Sequence, residues 1–236
     1  MASIPLYLGE NHPCSYLHGK MARMAVLPPD YPLTQRFYAA LVRAGFRRSG
    51  ELVYRTYCEG CVDCIPIRIP VKRFSPNRAQ RRVWAKNQGL VVKEVPAQFS
   101  EEHYRLYQQY QSHRHPDSDM AESSAEEFIQ FLGNRRFDGT VFYEFRREST
   151  LVAVSVVDVL DDGFSAVYTF FDPKMKSEGL GVFAVLWLIE ALRLQGLASL
   201  YLGFWIRESQ KMAYKSLYRP HEILLADGWQ DGLSGG

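Results

Sequence analysis

An α+β fold in two parts is predicted by the order of elements along the 236 residues. Two features carry the prediction. The first half sets a cysteine-rich loop between two strand-like runs and follows it with a basic helix, whereas the second half places helices first and then a β-β-β-α-β succession. The division is expected near residue 97. It separates an N-terminal cysteine-bearing α/β domain over residues 1–97 from a mixed-sheet domain over residues 98–236.

The first 30 residues are rich in Pro, Gly and His, show no period, and are expected to wrap onto a core built later. Pro32 to Phe46 reads as a helix, with Phe37, Leu41 and Ala44 on one side and Gly45 near its end. Glu51 to Tyr57 and Ile65 to Val71 read as strands that bracket the cysteine loop, a thiol-bearing hairpin. Ser75-Pro76 supplies an N-cap and a first-turn proline for a helix running to about Gln88, and a strand follows at Leu90 to Val95. Beyond Pro96, Glu101 to Ser112 and Ser124 to Leu132 read as helices. Thr140 to Phe145, Leu151 to Leu160 and Phe164 to Phe171 form an antiparallel meander, with Asp161-Asp162-Gly163 turning the last pair. Gly181 to Gln195 is a helix apolar almost all round, hence buried, and the continuous apolar strand Leu200 to Ile206 follows Gly196. That order is the one of an acetyltransferase-like (GNAT) domain.

With 47% hydrophobic and 14% aromatic residues the chain can bury a substantial core. No segment reads as a secretory signal, and the longest conspicuous apolar run, Gly179 to Ile189, has 11 residues where a membrane span needs roughly 20. A cytoplasmic location is expected. The net charge of +2 is unevenly spread, because Ile65 to Lys93 carries eight cations and no anion. A local positive field of that kind suits a polyanion docking at one face.

Three of the four cysteines form Cys58-Glu-Gly-Cys61-Val-Asp-Cys64, and Cys14 is the fourth. Thiols this close are badly placed to staple distant segments, so reduced sulfur is expected. C-x2-C-x2-C with one remote cysteine matches the ligand logic of an iron–sulfur cluster, and four thiolates also suit zinc. Cys14, Cys58, Cys61 and Cys64 are the candidate ligands. Free buried thiols are the plain alternative.

In the basic helix, Arg78, Arg82 and Lys86 recur every four residues with Arg81 beside them. Arg78 and Arg81 also stand near the positive end of the helix dipole, so the face is made against local preference. Val83 is expected to point into the core and Trp84 to pack or stack. A second series, Arg207, Lys211, Lys215 and Arg219, has the same spacing. Two cationic faces suit a folded RNA, against the plain reading of solvated helix faces. Lys176-Ser-Glu-Gly179-Leu-Gly181, ahead of the buried helix, approaches the glycine pattern with which acetyltransferases hold the coenzyme A pyrophosphate; a tight strand-to-helix turn explains it equally.

Several blocks in order resemble one family. They are Cys14-Ser-Tyr-Leu17, Cys58 to Cys64 with Ile-Pro-Ile-Arg68, Phe74-Ser-Pro-Asn77-Arg78-Ala-Gln80-Arg81-Arg82, Arg114-His115, Tyr168-Thr-Phe-Phe-Asp172-Pro173, Tyr201-Leu-Gly-Phe-Trp205-Ile and Lys211-Met-Ala-Tyr-Lys215. Together they are similar to the arginyl-tRNA–protein transferase group, and more closely to its bacterial aspartate/glutamate leucyltransferases. Leu17 stands where related eukaryotic arginyl enzymes have a second cysteine. The resemblance implies transfer of an aminoacyl group, leucine from Leu-tRNA, to the α-amino group of proteins beginning with Asp or Glu, which marks them for degradation (the N-degron pathway). It implies tRNA and such proteins as partners; Arg78, Arg81, Arg82, Lys86, Arg207, Lys211, Lys215 and Arg219 of the two basic series, with Gln80, are the candidate contacts to the tRNA or the acidic N-terminus.

Aminolysis of an activated ester needs positioning and oxyanion stabilisation more than covalent help, and no cofactor is required for the chemistry. His115, Asp158 and Asp172 are the candidate bases, and Tyr168 is the candidate donor to the oxyanion or leaving oxygen. The acceptor's carboxylate calls for an arginine fork, for which Arg78 and Arg81 compete with their RNA role. Arginyl transfer, coenzyme A-dependent acetyl transfer and a non-catalytic, metal-containing RNA-binding module are the alternatives.

Overall fold

The computed structural model describes residues 4–114, 123–133 and 136–232. Short strands β1 (Tyr7–Leu8), β2 (His12–Pro13), β3 (Met21–Ala22) and β4 (Met24–Val26) lead into helix α1 (Gln35–Arg43). Thr34 caps this helix, its hydroxyl accepting from the Phe37 N–H at 3.1 Å. Strands β5 (Arg47–Ser49) and β6 (Leu52–Thr56) complete a four-stranded sheet in the order β1-β4-β6-β5. Tyr38, Leu41 and Val42 of α1 bury one face against Leu27, Phe46 and Val53, the core of this small layer.

The expected hairpin around the cysteines does not form. Strand β7 (Ile65–Pro70) leaves β6 in the small sheet and enters the middle of an eight-stranded one. Burial pattern separates the two strands: β6 has Val53 inside and Leu52 outside, whereas Ile67 and Ile69 of β7 are fully buried in the largest core. The basic helix α2 (Arg78–Lys86) also starts later than Ser75-Pro76 suggested. Asn77 makes a reciprocal capping box with Gln80, with bonds of 3.0 and 2.9 Å, and so satisfies two free amides.

Next come β8 (Val91–Pro96), α3 (Glu101–Arg114), α4 (Ala125–Leu132), β9 (Thr140–Arg147), β10 (Thr150–Val159) and β11 (Gly163–Phe171). A 3-10 turn at Pro173–Glu178 leads into α5 (Leu180–Leu194), followed by β12 (Ser199–Trp205), α6 (Gln210–Ala213), a second 3-10 turn at Tyr214–Leu217, and β13 (Glu222–Leu225) and β14 (Gly228–Asp231). The large sheet runs β14-β13-β7-β12-β11-β10-β9-β8. Among the described residues only its β11–β12 pair is parallel. Helices and strands with a mixed sheet match the expected α+β class. Residues 65–97 supply β7, α2 and β8, so residue 97 falls just after a strand that is hydrogen-bonded into the same sheet as the second half.

Opposite faces of the sheet carry different layers. On one, α5 buries Phe183, Leu188, Ile189 and Leu192 against Phe145, Val157, Phe164 and Leu200, with α2 alongside. On the other, Leu106 and Tyr107 of α3 and Phe128 and Leu132 of α4 pack on Phe142, Val154, Val156 and Phe170. Among the described residues no helix is long and apolar enough to cross a membrane.

Candidate active site

Strands β11 and β12 pair only over Gly163–Ser165 and Ser199–Tyr201 and then part. Each strand is irregular where the separation begins. The β10–β11 register shifts between Val156 and Val157, leaving Val167 as an extra residue, and the β12–β7 register shifts at Leu202. Bulges bend strands and redirect their edges, and the separation of these two strands marks the candidate cleft.

The β12 wall of this cleft is held by two basic side chains. Leu202 and Phe204 are two residues apart, and their carbonyls accept from Arg47 Nη1 at 3.3 Å and from Lys215 Nζ at 2.6 Å. Arg47 belongs to β5 and its guanidinium also lies over the Phe204 ring, 5.8 Å from the centroid. Between the two carbonyls, Gly203 has φ 74°, and an added Cβ would fall 1.1 Å from Arg47 Nη1. Glycine is required there both by backbone conformation and by the crossing arginine. Lys215 is 5% exposed; burial, then Arg47, hold its amine well below the usual lysine range.

The opposite wall is aromatic. Tyr168 of β11 packs against Tyr107, Tyr110 and Phe131. Burial, then Tyr110 and Tyr107, raise its phenol pKa, so it keeps its proton. Gln111 Nε2 donates to the Tyr168 hydroxyl oxygen at 3.0 Å, which leaves the hydroxyl's own hydrogen available to another acceptor. Tyr214 lies within electrostatic reach of Arg47, Tyr110 and Arg114, linking the two walls.

Other residues expected at the site are placed elsewhere. Asp158 is fully buried and both its oxygens are bonded: Arg48 donates to each at 2.8 Å, Tyr38 to Oδ2 at 2.8 Å and Thr140 to Oδ1 at 2.7 Å. That carboxylate joins the two sheets and has no free lone pair aimed at a cleft. Asp172 caps the 3-10 turn, accepting from the Lys174 N–H at 2.9 Å. His115 lies outside the described residues.

On α2, Arg78, Arg81 and Arg82 are exposed, whereas Gln80 is buried in the capping box and donates to the Leu217 carbonyl at 3.2 Å. Lys86 is engaged by Glu178 and by the Ser177 carbonyl, both at 3.1 Å. The second series is not one cationic face. Lys211 and Arg219 are exposed, Arg207 sits over the Trp205 ring, and Lys215 is buried, because α6 and the 3-10 turn after it are too short to keep a four-residue stripe on one side.

Helix α2 also accounts for the glycine loop before α5. Val83 would meet a Cβ on Gly179 at 3.1 Å, and Asn87 Nδ2 donates to the Glu178 carbonyl at 2.8 Å. The position a coenzyme A pyrophosphate would need is covered by this helix. Trp84 packs on Phe183, 5.3 Å between centroids.

All four cysteines are free thiols. The Cys64 thiol is pushed up to about 12 by burial, then by Cys58, Cys14 and Cys61, so the four share a neighbourhood. Their donor types suit iron–sulfur or zinc, but the arrangement does not. Cys58 accepts from the Arg23 N–H at 3.5 Å, Cys61 donates to Asp63 at 3.2 Å, and among the described residues no group of three or more His, Cys, Asp or Glu side chains is set to hold a metal.

Arg47 is a candidate site residue that sequence alone did not single out. Its signal is Gly203, an isolated glycine in an apolar strand, which marks a bulge or a close approach.

Comparison with known proteins shows the family. The family model described as arginine-tRNA-protein transferase, N terminus, matches residues 12–82, and its C-terminus counterpart matches residues 102–225. An aspartate/glutamate leucyltransferase of Thiobacillus denitrificans is 47% identical over 227 residues, 96% of this chain and 94% of that one. The one from Chromobacterium violaceum is 45% identical, over 98% of this chain and 95% of its own. Among solved structures, L-PGS from Bacillus licheniformis superposes with a TM-score of 0.51 at 12% identity, over 71% of this chain and 58% of that one, a likeness of fold. Matched in both halves by the family's models and nearly half identical to these relatives from end to end, the chain belongs to the arginine-tRNA-protein transferase family, among its aspartate/glutamate leucyltransferases.

Proposed function

We propose that the chain moves leucine from Leu-tRNA to the α-amino group of proteins beginning with Asp or Glu, in the cytoplasm, and so marks them for degradation. The observation that carries the site assignment is the parting of β11 and β12, with a protonated phenol on one side and an arginine on the other. The full-length match to aspartate/glutamate leucyltransferases supports the donor, the acceptor and the reaction.

The neutral α-amine attacks the ester carbonyl carbon, forming the C–N bond; the ester C–O bond breaks, and the ribose oxygen leaves with the proton the amine gives up. An α-amine has a pKa near 8, so a useful fraction is already neutral at physiological pH. Positioning and stabilisation of the oxyanion then dominate. Tyr168, whose hydroxyl hydrogen has no acceptor among the described residues, is the donor to that oxyanion or to the leaving oxygen. Asp158 and Asp172 are occupied by Arg48 and the Lys174 amide, which argues against either as the base. Exposed Arg78, Arg81 and Arg82 serve the tRNA backbone, with Lys211 and Arg219 contributing from the neighbouring segment. Because the ester is already activated, the step needs no metal, and protein stripped by a chelator is expected to keep its transfer rate.

The test is transfer of labelled leucine, and separately arginine, from charged tRNA to peptides beginning with Asp, Glu or Ala. Leucine transfer confined to the acidic peptides is expected. Arginine transfer in its place, or acetyl transfer from acetyl-CoA, would overturn the reading.

A further inference from the structure

The reaction just described, on which this inference rests, requires the protein to tell an acidic N-terminal residue from others. The side chain of Asp or Glu holds its carboxylate within a few bonds of the attacking amine. A cation that reads it therefore has to stand beside the reacting centre. Arg78 and Arg81 do not meet that condition, because α2 packs with α5 on one face of the sheet, whereas the aromatic wall lies on the other and the small sheet bonds to the end of α4 there.

Arg47 meets it. Its bond to the Leu202 carbonyl is made at the residue where β12 parts from β11, which is the mouth of the cleft. Its backbone is fixed by the next residue, Arg48, locked to Asp158. Its guanidinium is positioned by the Phe204 ring and by the gap at Gly203. Of its five donors, only one on Nη1 is bonded among the described residues, and no carboxylate there pairs with it. The groups that sense its charge are Tyr16, Tyr38, Tyr214 and Lys215, all phenols or an amine. A half-buried arginine among aromatic rings with free donors is built for a small planar anion. An RNA phosphodiester is served better by exposed cations.

We propose that Arg47 reads the acceptor, binding the side-chain carboxylate of its N-terminal Asp or Glu inside the cleft. Two parallel N–H···O bonds would fix the acidic residue and so direct its α-amine at the ester on the Tyr168 side. Asn and Gln present one fewer acceptor and no charge, and are discriminated against by the same fork.

The experiment compares Arg47→Gln and Arg47→Lys with the wild type at saturating Leu-tRNA, using peptide pairs that differ only as Asp/Asn or Glu/Gln at the first position. Wild-type leucine transfer is measured first and decides the reaction itself, independently of Arg47. In R47Q, KM for the acidic peptides should rise about 30-fold or more, the Asp/Asn and Glu/Gln preferences should shrink towards one, and KM for Leu-tRNA should stay within about twofold of the wild type. R47K should recover part of the preference, since it keeps the charge and loses the fork. Unchanged preferences in R47Q, or a rise in KM for Leu-tRNA instead, would overturn the proposal. Should R47Q fail to fold, arginine-specific modification of the wild type, mapped by mass spectrometry, replaces it. Protection of Arg47 by the Asp peptide but not by the Asn peptide supports the assignment; equal modification with both rejects it.

Discussion

Arg47 and Arg48 are neighbours on one short strand, yet their surroundings are opposite. Arg48 is completely buried and its guanidinium bonds both oxygens of Asp158 and the carbonyls of Gly50, Leu132 and Gly133. Burial works against its charge, and Asp158 overrides that, so its pKa is raised. Among the described residues Arg47 bonds one carbonyl, beside the parting of β11 and β12. Strand alternation sends the two side chains to opposite sides, and the partner set then separates a joint from a reader. A cation with every donor matched holds the fold together. One with donors to spare is available to a substrate.

The difference can be broken at its structural end first. Arg48→Ala leaves Asp158 buried without its counter-charge, and unfolding free energy should drop by about 3 to 5 kcal/mol, read from urea midpoints. A loss below about 1 kcal/mol would mean the pair behaves like a surface bridge. At the functional end, Tyr168→Phe removes the other free donor of the cleft. It should lower kcat about 100-fold with little change in either KM, measured under single-turnover conditions, and a changed tRNA KM with intact kcat would reassign Tyr168 to binding.

On the outer helix the same contrast recurs between exposed Arg78, Arg81, Arg82 and the engaged Lys86. Replacing the three arginines by Ala should weaken tRNA binding and reduce the slope of log K against log salt by roughly 0.7 to 0.9 for each phosphate no longer neutralised. Lys86→Ala alone should leave that slope nearly unchanged.

The smallest effect is expected at Lys215, a candidate tRNA contact by sequence that the fold buries. Lys215→Met should leave tRNA binding as it was. Its pH signature is more telling. Because burial depresses the folded-state pKa of this lysine, the unfolded chain binds more protons between that depressed pKa and the ordinary value of 10.5. Stability contributed through Lys215 therefore rises with pH across that window, and the Met variant should flatten the slope. Equal slopes for the two proteins below pH 10 would show that the amine is charged in place.

How much of this was legible in the chain depends on range. Apolar runs announced the meander, the buried helix and β12, because burial on both faces leaves an unbroken record in composition. The three cysteines announced a shared neighbourhood. The role of Asp158 was not legible, since the partner that claims it, Arg48, is 110 residues away. The hairpin failed for a related reason: adjacency along the chain suggested pairing, while Ile67 and Ile69 gained more from the large core.

By itself the sequence determined the local terms: which segments are helical, which strands are apolar, where positive charge gathers, and the family to which the motifs belong. Only the tertiary structure decided which cations are matched and which stay free, that α2 covers the glycine loop, and that Arg47 crosses Gly203 at the mouth of the cleft. The physical reason is that propensity and periodicity act over a few residues, whereas desolvation and charge pairing depend on what the folded chain brings alongside.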